Sequence, residues 1–527
     1  MLAYRDCART ASGAEVVAEL VACLRACAAG GERRRLEAFL RAADLECALA
    51  DAGSPLATTA QSLTDALCEA FRGRPERSVG LPPEAVARKL EVPKSLNLRT
   101  PEGYAYFGLD PLGFVELARR YRLGAQRVVV IGIRSIGVSL SAVVASTLRE
   151  RGARVERSTV RPTGHPWNRV SSFDRPPPEW LDSEFIVVDE GPGLSGSTFL
   201  SVGEALVRAG VRADRVTFFG SRDFDPRELC AERAAERWSP FGRRSTSKTP
   251  VSGAGVDWSG GLWRLDTYES ELDWPASWVE LERVKRASPE ALFKFEGLPP
   301  YDAEPRARSR SIHGAGFGPE QVELSAGALC GYELCRGRPG RRADVSEALL
   351  DRMSAYLAFR ARAFKLEPAD PQPLEEMARC NVREALDREL PRYFNLRSAR
   401  PIVADARMQP EEWWLREDGV WLKLDGATHG DDQLFPGPCD VAWDLASAVV
   451  EWDLDDACAE ALLRRFQRVS GDDARARLPP HLVGYSAFRL GCVELAISTA
   501  SPAERRRLER SRSLYHRRLA RGVAVLT

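Results

Sequence analysis

Between residues 80 and 235, short apolar runs alternate with stretches whose apolar positions recur at helical spacing. Runs bounded by turn residues read as buried strands, and their alternation with helices implies a parallel sheet. The pattern predicts strands at Val128–Ile133, Arg154–Val160, Phe185–Val188 and Arg215–Gly220, and helices at Val138–Arg151 and Phe199–Gly210. Upstream, residues 1–75 read as helices, interrupted at Gly30-Gly31 and at Gly53-Ser-Pro. No chemistry is visible there; a helical cap or a dimerisation element is the expected role. The polar, Gly/Ser-rich stretch Phe241–Gly255 reads as a linker. After it the pattern is mixed, then mainly helical from Val345. The expected organisation is a helical region at 1–79, a sheet domain at 80–240, a linker at 241–254, a mixed lobe at 255–344 and a helical lobe at 345–527.

Composition narrows the classes. A chain of 527 residues has room for roughly two to four domains. With 44% hydrophobic residues it is not a disordered chain. Lys+Arg and Asp+Glu are both 75, so nonspecific binding to nucleic acid or to membranes is not expected. A signal-like N-terminus and long apolar runs are absent from the sequence, and a cytoplasmic location is expected. The 12 cysteines form no CxxC pair, which argues for buried thiols such as Cys23, Cys27, Cys47 and Cys68 rather than zinc or disulfides. Basic residues are overwhelmingly Arg, with Lys only at 89, 94, 248, 285, 294, 365 and 423. A retained Lys suggests a need for a compact ammonium, which singles out Lys294 and Lys423.

The stretch Phe185–Thr198 carries the clearest chemistry. Four apolar residues lead into Asp189 and Glu190, followed by Gly-Pro-Gly-Leu-Ser-Gly-Ser-Thr198 and a helical pattern. Carboxylates at a strand end accept hydrogen bonds from a diol. Gly193, Gly196 and the hydroxyls of Ser195, Ser197 and Thr198 at a helix start suit a phosphate. Together they describe a site for a ribose 5-phosphate. The stretch resembles the diphosphoribosyl-binding motif of type I phosphoribosyltransferases. Val128–Val138 resembles that family's first strand and diphosphate loop, which implies Gly132, Arg134, Ser135 and Gly137 near a diphosphate. The resemblance spans about residues 80–235. The loop after the acidic pair is about one residue longer than the family's and carries Gly-Pro-Gly.

Arg161-Pro-Thr-Gly-His-Pro-Trp-Asn-Arg169 lies where the family has a mobile closing loop. Arg161, His165 and Arg169 are candidates to stabilise a phosphoryl leaving group, with a structural loop as the alternative. Ser221–Asp225 could face an acceptor base or be structural, and Pro101–Phe107 reads as a hood over it.

The second half carries Asp405, then a hairpin containing Asp425, then Trp443-Asp-Leu-Ala446. This order resembles the C-terminal lobe of the aminoglycoside phosphotransferase and choline kinase family, over about residues 255–527. The resemblance implies a two-lobed kinase-like domain. It places Asp405 at the catalytic-loop Asp, Asp425 at the Mg²⁺-binding Asp, and Asp444 as a structural Asp. Lys294 is implied as the phosphate-pairing Lys, Ser259–Trp263 as part of a glycine loop, and Glu304 as the helix partner of Lys294. Two departures stand out: no His precedes Asp405 by two residues, and position 410 is Pro where the family's second metal ligand is Asn. Gln409, Glu411 or Glu412 could substitute, and His429 with Asp431 could complete an altered metal site, although a solvated loop is the plainer reading. The basic stretch Arg505–Arg518 reads as an amphipathic terminal helix rather than an RNA-binding segment.

The expected fold class is multidomain α/β: a phosphoribosyltransferase-like parallel sheet domain, a two-lobed kinase-like α+β domain and a helical N-terminal region. The expected function is PRPP-dependent phosphoribosyl transfer to a base or small nitrogen nucleophile, with Mg²⁺, fused to an ATP-binding kinase-like module that phosphorylates a metabolite. The alternatives are a non-catalytic sensor of nucleotide and PRPP, or PRPP pyrophosphohydrolysis without a sugar acceptor. A homodimer is possible on the N-terminal helices, and neither nucleic-acid nor membrane partners are expected.

Overall fold

The computed structural model describes residues 8–27, 31–74, 83–88, 90–173, 180, 182–246, 255–326, 328–367, 372–435 and 437–526. Gly30, Lys89, Lys248, Pro436, residues 75–82 of the N-terminal region and 247–254 of the expected linker lie outside them. The described residues form two compact units. The first holds 8–246 and Gly297–Tyr301; the second holds 255–296 and 302–526.

The first unit begins with β1 (Ala8–Ser12), then α1 (Gly13–Cys27), α2 (Glu32–Asp51), α3 (Ala57–Phe71), α4 (Pro83–Arg88), β2 (Ser95–Arg99) and α5 (Leu112–Arg120). The sheet region follows, with β3 (Arg127–Ile133), α6 (Ile136–Glu150), β4 (Arg154–Val160), β5 (Thr163–His165), β6 (Asn168–Val170), β7 (Glu184–Val188), α7 (Ser197–Arg208), β8 (Val216–Gly220), α8 (Ala234–Trp238) and β9 (Gly242–Ser245). The main sheet has the order β4-β3-β7-β8-β9 and is parallel throughout. Every residue of β7 and β8 is buried, as expected of strands covered on both faces. From β3 the chain crosses to β4 on one side and, later, to β7 on the other. The crevice for a ligand in such sheets is at this reversal, outside the carboxyl ends of β3 and β7.

Four sequence expectations change here. The first segment is not all helix, because Ala8–Ser12 pairs antiparallel with Ser95–Arg99. The 1–79 region does not stand apart from the sheet domain: Arg157 of β4 is wholly enclosed and forms a two-point bond with Glu46 of α2, 2.9 Å at each nitrogen, and a third with Asp65 of α3 at 2.7 Å. Residues 242–245 are not linker but an edge strand, parallel to β8, with the Thr246 N–H continuing the pairing to Gly220 O at 3.1 Å. Gly297–Tyr301, expected in the mixed lobe, belongs to this unit. The Tyr301 hydroxyl donates to Asp44 at 2.9 Å, and burial pushes the Asp44 carboxyl up to about 7.

The second unit opens with β10 (Val256–Asp257), α9 (Arg264–Thr267), β11 (Lys285–Ala287), β12 (Ala291–Phe295), α10 (Ala303–Gly314), β13 (Gln321–Ala326) and β14 (Leu329–Glu333). Its antiparallel sheet has the order β10-β11-β12-β14-β13. A three-stranded sheet follows, made of β15 (Gly337–Pro339), β16 (Trp413–Arg416) and β17 (Trp421–Lys423). The helices are α11 (Glu347–Ala363), α12 (Gln372–Leu386), α13 (Ala442–Glu451), α14 (Asp456–Ser470), α15 (Leu478–Thr499) and α16 (Pro502–Leu526). Their apolar faces share one core with Trp413, Phe435 and Trp443. In α16, Leu508, Leu514, Tyr515, Leu519 and Val523 face this core, so the basic stretch is one side of an amphipathic helix.

The Arg157–Glu46 pair yields a stability prediction. Arg157→Met leaves Glu46 buried without its partner, a loss of about 3–5 kcal/mol. Denaturant unfolding followed at the tryptophans is expected to show this loss, and Glu46→Gln added to the same chain is expected to recover part of it.

Candidate functional site

Two clusters of charged side chains lie at element ends, one in each unit. In the second unit the centre is Lys294 on β12. Its ammonium donates to Asp425 Oδ1 and lies 3.3 Å from Glu296. Glu296 in turn accepts from the Tyr332 hydroxyl at 3.0 Å. Burial pulls the Lys294 pKa down to about 8, against the pull of Glu296. Asp425 follows β17 in the left-handed region, φ 57°, and also accepts from the Thr428 hydroxyl at 3.2 Å. Glu304, expected to pair with Lys294, does not; it is exposed and lies 3.5 Å from Arg308, one turn along its own helix. Glu296, two residues on and just past the end of β12, is the partner that spacing arguments missed, since extended chain returns to one face at the second residue.

Asp405 is wholly buried. The Tyr356 hydroxyl donates to its Oδ2, and the Lys423 ammonium is 3.3 Å from its Oδ1. The Arg360 guanidinium, also enclosed, lies 3.8 Å from both Asp405 and Asp444. Asp444 accepts the backbone N–H groups of Asp405 and Ala406 at 2.8 and 2.9 Å, which holds the loop before the hairpin, with Ala406 at φ 63°. Asp405 therefore meets cations and hydroxyls of its own unit rather than an open face.

Pro410 starts a short turn, Pro410–Glu412, that aims Glu412 inward to the Lys423 ammonium at 2.7 Å. Of the three possible substitutes for the missing Asn, it is Glu412 that enters the cluster. Gln409 donates to Glu411 at 3.1 Å instead. The stretch Thr428–Asp432 is not a solvated loop. His429 is 8% exposed, its Nε2 is 3.6 Å from Asp425 and its Nδ1 has no hydrogen-bond partner. Asp431 does not join it, being held by Arg308 at 2.6 Å. Burial, then Arg407 and Lys423, keep the His429 imidazole well below its usual pKa and therefore neutral. One ligand-capable atom each from Asp405, Glu412 and His429 lie within 4.8 Å of one another. A neutral imidazole with an orphaned nitrogen beside carboxylates is a donor set that fits a divalent cation, and the imidazole favours manganese or zinc over magnesium.

Ser259–Trp263 closes on itself instead of forming an open glycine loop. The Gly261 N–H and the Trp263 indole both donate to Glu282, at 2.5 and 2.9 Å, and the Arg264 guanidinium fills the space over Gly261.

In the first unit, Asp189 and Glu190 sit at the carboxyl end of β7, at the reversal point of the sheet. Burial raises Asp189 to about 7, and burial, with Glu102 and Asp189 adding to it, raises Glu190 to about 8. The Gly103 backbone comes so close to Glu190 that a Cβ there would lie 2.8 Å from its carboxyl. This brings the expected hood, Gly103–Phe107, onto the pair.

The surrounding candidates behave differently from expectation. Arg134 and Arg161 both bond Asp51 of α2, at 3.2 and 2.5 Å, and Arg161 also donates to the Arg134 carbonyl at 2.7 Å. Both are tied to α2. His165 and Arg169 lie on the β5–β6 hairpin, where His165 accepts the Trp167 N–H at 3.2 Å and Arg169 donates to Gly164 O at 2.7 Å. The hydroxyls of Ser195 and Ser197 both donate to the Pro166 carbonyl at the hairpin tip, at 2.8 and 2.7 Å. That carbonyl sits where a phosphate oxygen was expected. Gly132 and Gly137 serve packing: a Cβ on Gly132 would meet the Gly137 carbonyl at 2.2 Å, and one on Gly137 the Val188 carbonyl at 2.6 Å. Ser135 begins α6 at φ 102°, a strained position for a residue with a Cβ. Gly193 is open above its Cα, while Gly196, at φ 66°, starts the turn into α7, followed by Thr198 in its first turn.

No protein-family model matches the chain, and no curated protein matches it. Among solved structures the chain is similar to a choline/ethanolamine kinase family protein from Mesorhizobium loti, at 15% identity over 46% of this chain and 89% of that one, with a TM-score of 0.30. It is similar to a choline kinase from Streptococcus pneumoniae at 12% identity over 46% and 89%, TM-score 0.32. An aminoglycoside phosphotransferase from Alicyclobacillus acidocaldarius matches at 13% identity over 46% and 90%, TM-score 0.28. Likeness at these TM-scores carries no weight as to fold or function. No helix among the described residues is long and apolar enough to cross a membrane.

The acidic pair makes stability depend on pH. Its carboxyls rise from 3.8 and 4.5 to about 7 and 8 on folding. The folded state therefore binds more protons than the unfolded state between these limits, and stability falls as pH rises through them. Asp189→Asn with Glu190→Gln is expected to melt above wild type at about pH 9 and level with it at about pH 4. Thermal melts at the two pH values check this.

Proposed function

We propose that the second unit is a kinase-like module that binds ATP together with a divalent cation. The observation that carries this is the approach of Lys294 to Asp425, on two elements far apart in sequence. A Lys ammonium suits a phosphate as a point charge, and a carboxylate suits a hard cation. Asp425, with His429 Nε2 3.6 Å from it, would hold the cation, which when bound neutralises phosphate charge. Lys294 then exchanges Asp425 for phosphate oxygens, while Glu296 keeps the ammonium in place. Asp444 and Arg360 hold the Asp405 loop. Because Asp405 is enclosed by Tyr356, Lys423 and Arg360, we assign binding as the primary activity and transfer to an acceptor hydroxyl as a property to be measured.

For the first unit the reading is PRPP-dependent phosphoribosyl transfer to a base or small nitrogen nucleophile. It is supported by the Asp189-Glu190 pair at the sheet reversal and the Gly193–Thr198 turn into α7. Hydrogen bonds from ribose hydroxyls to the pair in its charged form would release the protons that burial imposes. A non-catalytic sensor of the same ligands is the second reading, favoured by the tie of Ser195 and Ser197 to Pro166. Pyrophosphate release from PRPP with a panel of nitrogen acceptors separates the two.

In thermal-shift titrations Lys294→Met and Asp425→Asn are each expected to weaken binding of the metal–ATP complex about 10²-fold or more, from the loss of a charge-assisted contact. Asp405→Asn is expected to weaken that affinity less than either of these, since its carboxylate already meets Tyr356, Lys423 and Arg360. Equal affinity in wild type and both site variants would overturn the assignment. In the first unit, Asp189→Asn with Glu190→Gln is expected to weaken ribose 5-phosphate binding about 10²–10⁴-fold by calorimetry, from two lost hydrogen bonds to charged groups.

A further inference from the structure

A cleft of about 290 Å³ opens next to the acidic pair of the first unit, with Gly191 and Pro192, the two residues after Glu190, in its wall. Its lining has two parts of opposite character. Phe199, Phe218 and Trp238 are buried, and Phe224 packs edge-on against Trp238 with ring centres 4.9 Å apart. Above them stand the exposed Arg222, Arg243 and Arg244.

Each of these arginines is held by a backbone carbonyl. Arg222 donates to Pro192 O at 3.1 and 2.9 Å, Arg243 to Phe224 O at 3.3 Å, and Arg244 to Arg243 O at 2.6 Å. A carbonyl orients a guanidinium without cancelling its charge. Among the described residues no ion pair engages any of the three. Asp223 is the one carboxylate in the lining, and Asp225 close by is spent on Arg227 at 2.5 Å. The lining is therefore net positive over an aromatic base. Arg243 also lies over the Phe224 ring, 5.3 Å from its centre, which fixes the guanidinium plane. Trp238 is 1% exposed and forms the floor, its indole nitrogen lying against Gly196.

We propose that this cleft binds a planar organic anion, an aromatic ring carrying a carboxylate. Guanidinium groups match a carboxylate in two-point geometry. The half-buried Phe224 is the ring that such a ligand could reach, over a floor of Phe199, Phe218 and Trp238. The volume is at the small end of ligand cavities and admits about one ring system. A neutral ring would leave the arginines unmatched. That the bound ring would be the acceptor for the sugar phosphate rests on the reading of the first unit given above; the binding itself does not.

The test uses the full chain and three probes: benzoate, its neutral isostere benzamide, and inorganic phosphate, followed by calorimetry and tryptophan fluorescence. Benzoate is expected to bind at least about tenfold more tightly than benzamide, as a charge-assisted pair implies, and phosphate is expected not to displace it. Arg222→Gln with Arg243→Gln, both exposed, is expected to abolish the preference, and Phe224→Leu to weaken benzoate while sparing the preference. Ribose 5-phosphate binding is expected to survive the arginine changes. Equal binding of benzoate and benzamide, no binding of benzoate, displacement by phosphate, or benzoate affinity unmoved by the arginine changes each overturns the proposal. If benzoate binds as expected and ribose 5-phosphate does not bind at all, the cleft stands and the sugar reading of the neighbouring loop falls.

Discussion

A carboxylate taken out of water must be neutralised, by a proton, a cation or a ligand. The two units meet this constraint in opposite ways. In the second unit the chain supplies the cations itself. Lys294 meets Asp425, Lys423 lies between Asp405 and Glu412, and Arg360 lies between Asp405 and Asp444. Among the described residues of the first unit, Arg161 acts on Asp189 only from a distance, because Arg134 and Arg161 are committed to Asp51. The pair is left to protons, and both carboxyls move up toward neutrality. A closed, self-neutralised cluster gains rigidity, whereas an uncompensated pair is held at a cost that a ligand can relieve.

Backbone geometry decides where these charges can be. Gly132 and Gly137 let α6 press its first turn onto β3 and β7, which brings the strained Ser135 and the end of β7 together. Gly103 does the same for the hood over Glu190. In the second unit the carboxylate of Asp444 takes the place of a helix cap for the Asp405 loop, and Asp425 turns in the left-handed region so that its side chain faces β12. None of these positions adds much apolar burial. Each spends local strain or close packing to aim one polar group, the pattern expected where a fold serves a site.

The β5–β6 hairpin occupies hydroxyls that a phosphate was expected to use. Its tip carbonyl, on Pro166, accepts from both Ser195 and Ser197. An anion in that turn would need the same hydroxyls, so ligand binding and hairpin contact compete for them. Such competition is a differential interaction of the kind that lets a ligand shift a conformational equilibrium.

Local pattern determined much of this protein. Apolar runs marked β3, β7 and β8 nearly to the residue, because strands buried on both faces need continuous apolar sequence, while β4 is a largely polar edge strand. The scarcity of Lys pointed to Lys294 and Lys423, both of which are buried among carboxylates. What the sequence could not reveal was pairing across the chain. Glu46 and Arg157 lie 111 positions apart, and Lys294 and Asp425 lie 131 apart. A charged residue in a string gives no sign of which opposite charge will face it, so Arg161 read as a candidate to stabilise a leaving group, with a structural loop as the alternative, and Asp405, by resemblance, as a catalytic-loop Asp. Tertiary structure decided both, because the partner of a buried charge is set by which elements pack together, and that is a property of the whole fold.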